Sequence, residues 1–127
     1  MEIKLEIPLK RISDMLCSAL ESSCGSHYWV QITAEVKPDK LTFHCMDGHV
    51  FPHIDYPLNE GGSIVIQDIE DESHAPFVLD IDAIQKGLAI MAEKEPRHFG
   101  DFLSENDDAT TGDVFLQCCV FGETLYG

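Results

Sequence analysis

The sequence predicts an α+β domain in which three to four helices pack on a mainly antiparallel sheet. Three observations carry this expectation. Strand-period segments crowd the stretch between residues 28 and 69, helix-period segments dominate after residue 80, and turn residues separate successive strands at hairpin distances. At 127 residues the chain is long enough to bury one core without disulfides or metals. No repeat, low-complexity tract or linker interrupts it, so a single domain over 1–127 is expected.

Residues 1–7 set Ile3, Leu5 and Ile7 against Glu2, Lys4 and Glu6, the alternation of a strand with one covered face. Pro8 ends that strand and can open a helix. Leu9, Ile12, Met15, Leu16, Ala19 and Leu20 then recur at three- and four-residue steps, until Ser22, Ser23, Cys24 and Gly25 stop the pattern. Over 28–36, Tyr28, Val30, Ile32 and Ala34 share one parity; Trp29, Gln31, Thr33 and Glu35 share the other, so the indole is expected on the polar face. The turn Lys37-Pro38-Asp39-Lys40 leads to a return strand over 41–45, and Met46 to His49 form another turn. Pro52 reduces 50–56 to an irregular edge strand, and 55–62 is loop chemistry throughout.

Residues 63–69 alternate as an apolar strand with an acidic end at Asp68, and 70–76 form an acidic loop. A short strand over 77–79 precedes Asp80, which caps a helix carrying Ile81, Ile84, Leu88, Met91 and Ala92 as far as Pro96. Pro96 can itself start a helix over 96–105, on which His98, Phe99, Phe102 and Leu103 recur at helical spacing. The polar stretch 106–113 favours turns and caps. Residues 114–121 are apolar except for Gln117; Asp113 as N-cap and Gly122 past the end favour a helix, whereas Val114, Phe115, Val120 and Phe121 suit a strand equally well.

Eight basic against 23 acidic residues give a net charge of −15, which repels phosphate backbones and anionic membranes and attracts a partner with a basic face. Direct nucleic-acid binding and membrane association are therefore not expected. Cys17, Cys24, Cys45, Cys118 and Cys119 are odd in number and lack a leader, a membrane run and Cys-x-x-Cys spacing, which predicts reduced thiols in a cytoplasm. His44, Cys45, His49 and His53 cluster in sequence, but Gly48 and Pro52 forbid the helix that would align them, so no metal is assigned. The acidic stretch 101–113 lacks the ligand pattern of a calcium loop.

Phosphate-binding and dinucleotide glycine motifs are absent, as is a nucleophile elbow, and neither His27 nor His74 sits in a His-x-Ser/Thr pair. His98 with Asp101 could orient an imidazole, but no nucleophile or second acid lies nearby in sequence, which argues against an enzyme and a cofactor. A binding site built from loops remains. Ser26, His27, Tyr28 and Trp29, then Tyr56, Asn59, Gly61 and Gly62, then Thr110, Thr111, Gly112 and Asp113 supply aromatic faces, polar donors and close-approach glycines. Together with His98 they are the expected ligand-binding residues.

Cys24-Gly25-Ser26-His27-Tyr28-Trp29, the run from Phe51 to Asn59 with Gly61-Gly62, and Arg97 to Leu103 continuing through Asp107 to Cys118 and Phe121-Gly122-Glu123 resemble a family of small bacteriophage and prophage proteins. The resemblance spans nearly the whole chain and implies a bacterial host cytoplasm. Small acidic phage proteins without catalytic motifs often resemble counter-defence factors, which implies two roles. In one, the protein sequesters a small nucleotide-type immune signal, with Tyr28 or Trp29 stacking on the base, and a homo-oligomer is expected. In the other, its acidic surface imitates nucleic acid and occupies a basic host defence nuclease or CRISPR-type effector.

Overall fold

The structure is a computed structural model that describes residues 7–21, 25–43, 52–106 and 108–127. Among the described residues, four helices pack with a three-stranded antiparallel sheet, the α+β class the sequence predicts. Helix α1 (Leu9–Leu20) is followed by a 3₁₀ turn (Ser26–Tyr28), strand β1 (Val30–Val36), a second 3₁₀ segment (Pro52–Leu58), β2 (Ser63–Asp68), β3 (Phe77–Leu79), α2 (Ile81–Lys94), α3 (Pro96–Leu103) and α4 (Ala109–Phe121). The sheet order is β1-β2-β3, with Val30 opposite Asp68, Ile32 opposite Ile66 and Ile64 opposite Leu79. Ile64, Ile66 and Asp68 of β2 are buried on one face, as their shared parity requires. Among the described residues, no helix is long and apolar enough to cross a membrane.

Helix α4 is buried almost all round: every residue from Thr111 to Cys119 is inaccessible to solvent or nearly so. Such a helix has no polar face and therefore no 3.6-residue signature, which is why periodicity leaves 114–121 undecided. Close packing explains two of its contacts. A Cβ on Gly112 would lie 2.8 Å from the carbonyl oxygen of Met15 and 3.0 Å from the amide nitrogen of Ala19, so this glycine lets α4 touch the backbone of α1. On the other flank, Gly87 of α2 lies directly against Cys119. Met15, Leu16, Ala19, Ile84, Met91, Phe115 and Leu116 fill the resulting core.

Several expectations are corrected. β1 pairs with β2; of the return strand expected over 41–45, residues 41–43 form no strand, because the Asn59 side chain takes both main-chain groups of Phe43 in place of a neighbouring strand, and 44–45 lie outside the described residues. Of the edge strand expected over 50–56, residues 52–56 lie in the 3₁₀ segment instead, and 50–51 lie outside the described residues. Pro52 and Pro57 remove ladder donors and fix φ near the helical value. Tyr28 and Trp29 precede the strand as part of a 3₁₀ turn, so strand parity does not govern the indole, and Trp29 is fully buried. Helix α4 starts five residues earlier than expected; Asp108, not Asp113, is its N-cap, accepting from the Thr111 amide at 3.0 Å. The strand expected over 1–7 falls largely outside the described residues, as do His44, Cys45 and His49.

At the end of α3, Glu105 adopts φ 62°, the left-handed position that glycine usually fills. The bonds Glu105 N–H to Phe102 O (3.2 Å) and Asn106 N–H to Asp101 O (2.8 Å) hold it there. Two substitutions therefore have opposite expected effects in urea unfolding. Glu105→Gly should stabilise the fold by about 1 kcal/mol by relieving this strain, because the Arg11–Glu105 pair, 3.9 Å apart with Glu105 exposed, offsets little. Gly112→Ala should destabilise it by about 1–3 kcal/mol through overpacking against α1, despite the helix-propensity gain. Equal or reversed signs would contradict this packing.

Candidate functional site

Asp113 lies inside α4, and its carboxylate joins two distant parts of the chain. Oδ1 accepts hydrogen bonds from Ser26 Oγ and Trp29 Nε1, both at 2.7 Å. Oδ2 accepts from Tyr28 Oη at 2.6 Å and from Gln117 Nε2 at 3.1 Å. Four donors fill the four lone-pair directions that a carboxylate offers. Such saturation lets a charge persist in a helix interior without bulk solvent. The 3₁₀ turn explains how three consecutive-region donors converge: its tight winding presents Ser26, Tyr28 and Trp29 toward one point, and the Trp29 amide closes on Ser26 O at 3.1 Å. Burial, followed by the Asp113 hydrogen bond and charge, pushes the Tyr28 hydroxyl well above its ordinary range.

One helical turn on, Gln117 binds the segment 124–127. Its Oε1 accepts from the amides of Leu125 and Tyr126, both at 2.8 Å, and its Nε2 donates to Tyr126 O at 3.1 Å. The Tyr126 ring packs against Tyr28, Trp29 and Phe121 with centroid separations of 6.4, 6.0 and 5.8 Å. Its hydroxyl donates to Asp68 Oδ2 at 2.6 Å. Asp68 also accepts from the amides of Glu70 and Asp71 at 2.8 and 3.2 Å, and it contacts His74 Nδ1 at 2.8 Å. Burial alone would raise the Asp68 pKa, but the Tyr126, His74 and backbone hydrogen bonds outweigh it and hold the carboxyl below its ordinary range. Conversely, the Asp68 hydrogen bond, with burial second, pushes Tyr126 up to about 12.

The structure thus brings together Ser26, Tyr28, Trp29 and Asp113. Thr111 and Gly112 lie just before Asp113 on the same helix, but Thr111 bonds to Asp108 and Gly112 abuts α1. Thr110 is exposed. Asn59 belongs to a different network: it accepts from Thr42 Oγ1 and the Phe43 amide and donates to Phe43 O and Asp55 O, at 2.7 to 2.9 Å. Gly62 abuts the Tyr56 carbonyl, and Gly61 turns the chain at φ 84°, so these three residues shape the connection into β2. His27 is exposed at a mainly apolar cavity of about 220 Å³ lined also by Ala19, Leu20, Val30, Ile32 and Ile54. His98 has a buried Nδ1 that meets no partner among the described residues.

Asp68, Gln117 and Tyr126 are central to the site, yet sequence reasoning did not select them. Two had a readable signal. Gln117 is the lone polar residue in an apolar run, and Asp68 shares the inward parity of Ile64 and Ile66; a polar group so placed must find partners. Tyr126 carried none. Burial pushes the Cys119 thiol far up and Cys118 to about 11, which removes the thiolate that redox chemistry needs. Among the described residues, no group of three or more His, Cys, Asp or Glu side chains is placed to hold a metal. No protein-family model, curated protein or solved structure matches the chain.

Two measurements check this geometry. Asp113→Ala strands buried donors of Ser26 and Trp29 and should cost on the order of 3 kcal/mol of unfolding free energy or more; a loss within experimental error would contradict the network. The Asp68 contribution to stability is fully present above the unfolded carboxyl value of 3.8 and is lost as pH falls below it. Tyr126 behaves oppositely: its contribution is fully present below the unfolded value of 10.0 and is lost as pH rises towards about 12. Asp68→Asn should therefore flatten both the acid and the alkaline limbs of the stability profile, whereas unchanged limbs would argue against the Asp68–Tyr126 pair.

Proposed function

We propose that this protein is a non-enzymatic binding protein that captures and withholds a small planar ligand of nucleotide type, in the phage counter-defence setting its sequence resembles. The observation that carries the reading is convergence. Ser26, Tyr28 and Trp29 of the 3₁₀ turn and Asp113 of α4, about 85 residues apart in the chain, meet at one carboxylate beside a cluster of aromatic rings. Aromatic faces and a few fixed polar groups are the usual components of a site for a flat ligand.

Charge decides which end of the ligand is recognised. The buried carboxylates of Asp68 and Asp113 and a net charge of −15 oppose phosphate, so the base enters and the phosphates stay towards solvent. Capture needs pre-organisation and no reacting group, which suits a carboxylate whose acceptor sites are already filled. A second reading has its own observation: Glu70, Asp71 and Glu72 form a consecutive, solvent-exposed acidic run next to Asp68, and such a surface suits a basic defence protein.

Thermal unfolding in the presence of linear and cyclic nucleotides tests the first reading. A ligand at 100 times its dissociation constant should add roughly 2.7 kcal/mol. Intact nucleotide recovered after heat denaturation is the expected result; chemically altered nucleotide would mean an enzyme. With no shift from any nucleotide, capture fails, and charge reversal at Glu70, Asp71 and Glu72 with salt-dependent partner binding becomes the relevant assay.

A further inference from the structure

The aromatic cluster beside Asp113 already has an occupant, and that occupant is the protein's own chain. Tyr126 places a flat ring against Tyr28, Trp29 and Phe121, a hydroxyl on Asp68, and peptide amides on Gln117. These are the contacts a flat, donor-bearing ligand would make. We infer that residues 125–127 form a displaceable strap that fills the ligand seat in the unliganded protein, and that the ligand enters by replacing Tyr126.

Three features make the strap releasable. Its polar contacts to Gln117 and Asp68 are made to side chains, so no sheet ladder has to be broken. Leu125 is 45% exposed, so within the segment only the partly buried Tyr126 ring packs against the core. Thr124 Oγ1 is held by Glu95 at 3.0 Å, which anchors the chain at the point from which the strap would swing.

The vacated groups also define the chemical class of the ligand. Withdrawal of the strap leaves Gln117 Oε1 without its two N–H partners and leaves Nε2 with only the 3.3 Å contact to Tyr28 Oη beside its bond to Asp113 Oδ2. A side-chain amide in that state pairs with a heterocycle edge that carries a donor next to an acceptor, as nucleobases do. Asp68 Oδ2 loses the Tyr126 hydroxyl and takes a further donor from the ligand. The rings of Trp29 and Phe121, packed on each other at 5.1 Å between centroids and tilted by 42°, border the vacated position.

This inference rests on the capture reading, and the test separates the two. Trp29 is the sole tryptophan and lies under the strap, so its fluorescence reports the seat. Wild type, Tyr126→Ala and Tyr126→Phe, each confirmed folded by a cooperative melt, are titrated with guanosine, adenosine and an acetylated Thr-Leu-Tyr-Gly peptide. Tyr126→Ala should bind a nucleoside at least about tenfold more tightly than wild type, because no occupant has to leave; Tyr126→Phe, which lacks only the Asp68 bond, should fall between, and covers the case in which the alanine variant does not fold. Nucleoside binding that is equal or weaker in both variants overturns the strap and leaves capture standing. Peptide binding to Tyr126→Ala with no nucleoside binding supports the displaceable strap and removes the nucleotide reading. Neither peptide nor nucleoside binding overturns both.

Discussion

The carboxylate of Asp113 must be satisfied inside a helix that has no solvent-facing side, and much of the structure answers that requirement. Ser26, Tyr28, Trp29 and Gln117 each spend a donor on it. Removing a charge from water costs several kcal/mol unless such partners are fixed in place, so the turn Ser26–Tyr28 and the position of the indole are dictated by α4. The network is local in space and long-range in sequence. It therefore ties the start of β1 to the last helix, two elements that β2, β3, α2 and α3 separate in the chain.

From that anchor the remaining order propagates through two more polar links. Gln117 passes it to the segment 124–127, and Tyr126 passes it to Asp68 at the end of β2. Asp68 then organises the acidic turn through the amides of Glu70 and Asp71. A chain of this kind is costly if any member is missing, because each buried polar group relies on the next. It also concentrates flat rings and unsolvated acceptors in one place, which is the combination that ligand sites share. The same residues thus serve stability and form the candidate site.

Much of the fold was legible from pattern. α1 and α2 show three- and four-residue apolar spacing, β2 alternates, and Asp80 caps α2 by accepting from the Ala83 amide at 2.9 Å. What pattern did not give has physical causes. α4 is buried all round, so its register and its cap at Asp108 had no amphipathic marker. Trp29 follows a 3₁₀ turn, where period-two parity does not apply. The amide of Asn59 replaces a strand partner for Phe43, a tertiary substitution invisible to local propensity. Of the site, the side-chain chemistry of Ser26, Tyr28, Trp29 and Asp113 is legible in the sequence, but their convergence on one carboxylate is a tertiary contact that local pattern does not carry. Gln117 and Asp68 were marked by being polar at inward positions, and the place of Tyr126 was set entirely by tertiary contacts.

The claim on which the account turns is that the Trp29 indole N–H is locked onto a buried Asp113 carboxylate. Hydrogen exchange at that single indole, followed by NMR, tests it most directly. The account predicts a strongly protected indole N–H that exchanges only with global unfolding, as expected for a buried donor in the most stable part of a fold. Exchange at the rate of a solvent-exposed tryptophan, in protein that remains folded, would contradict it.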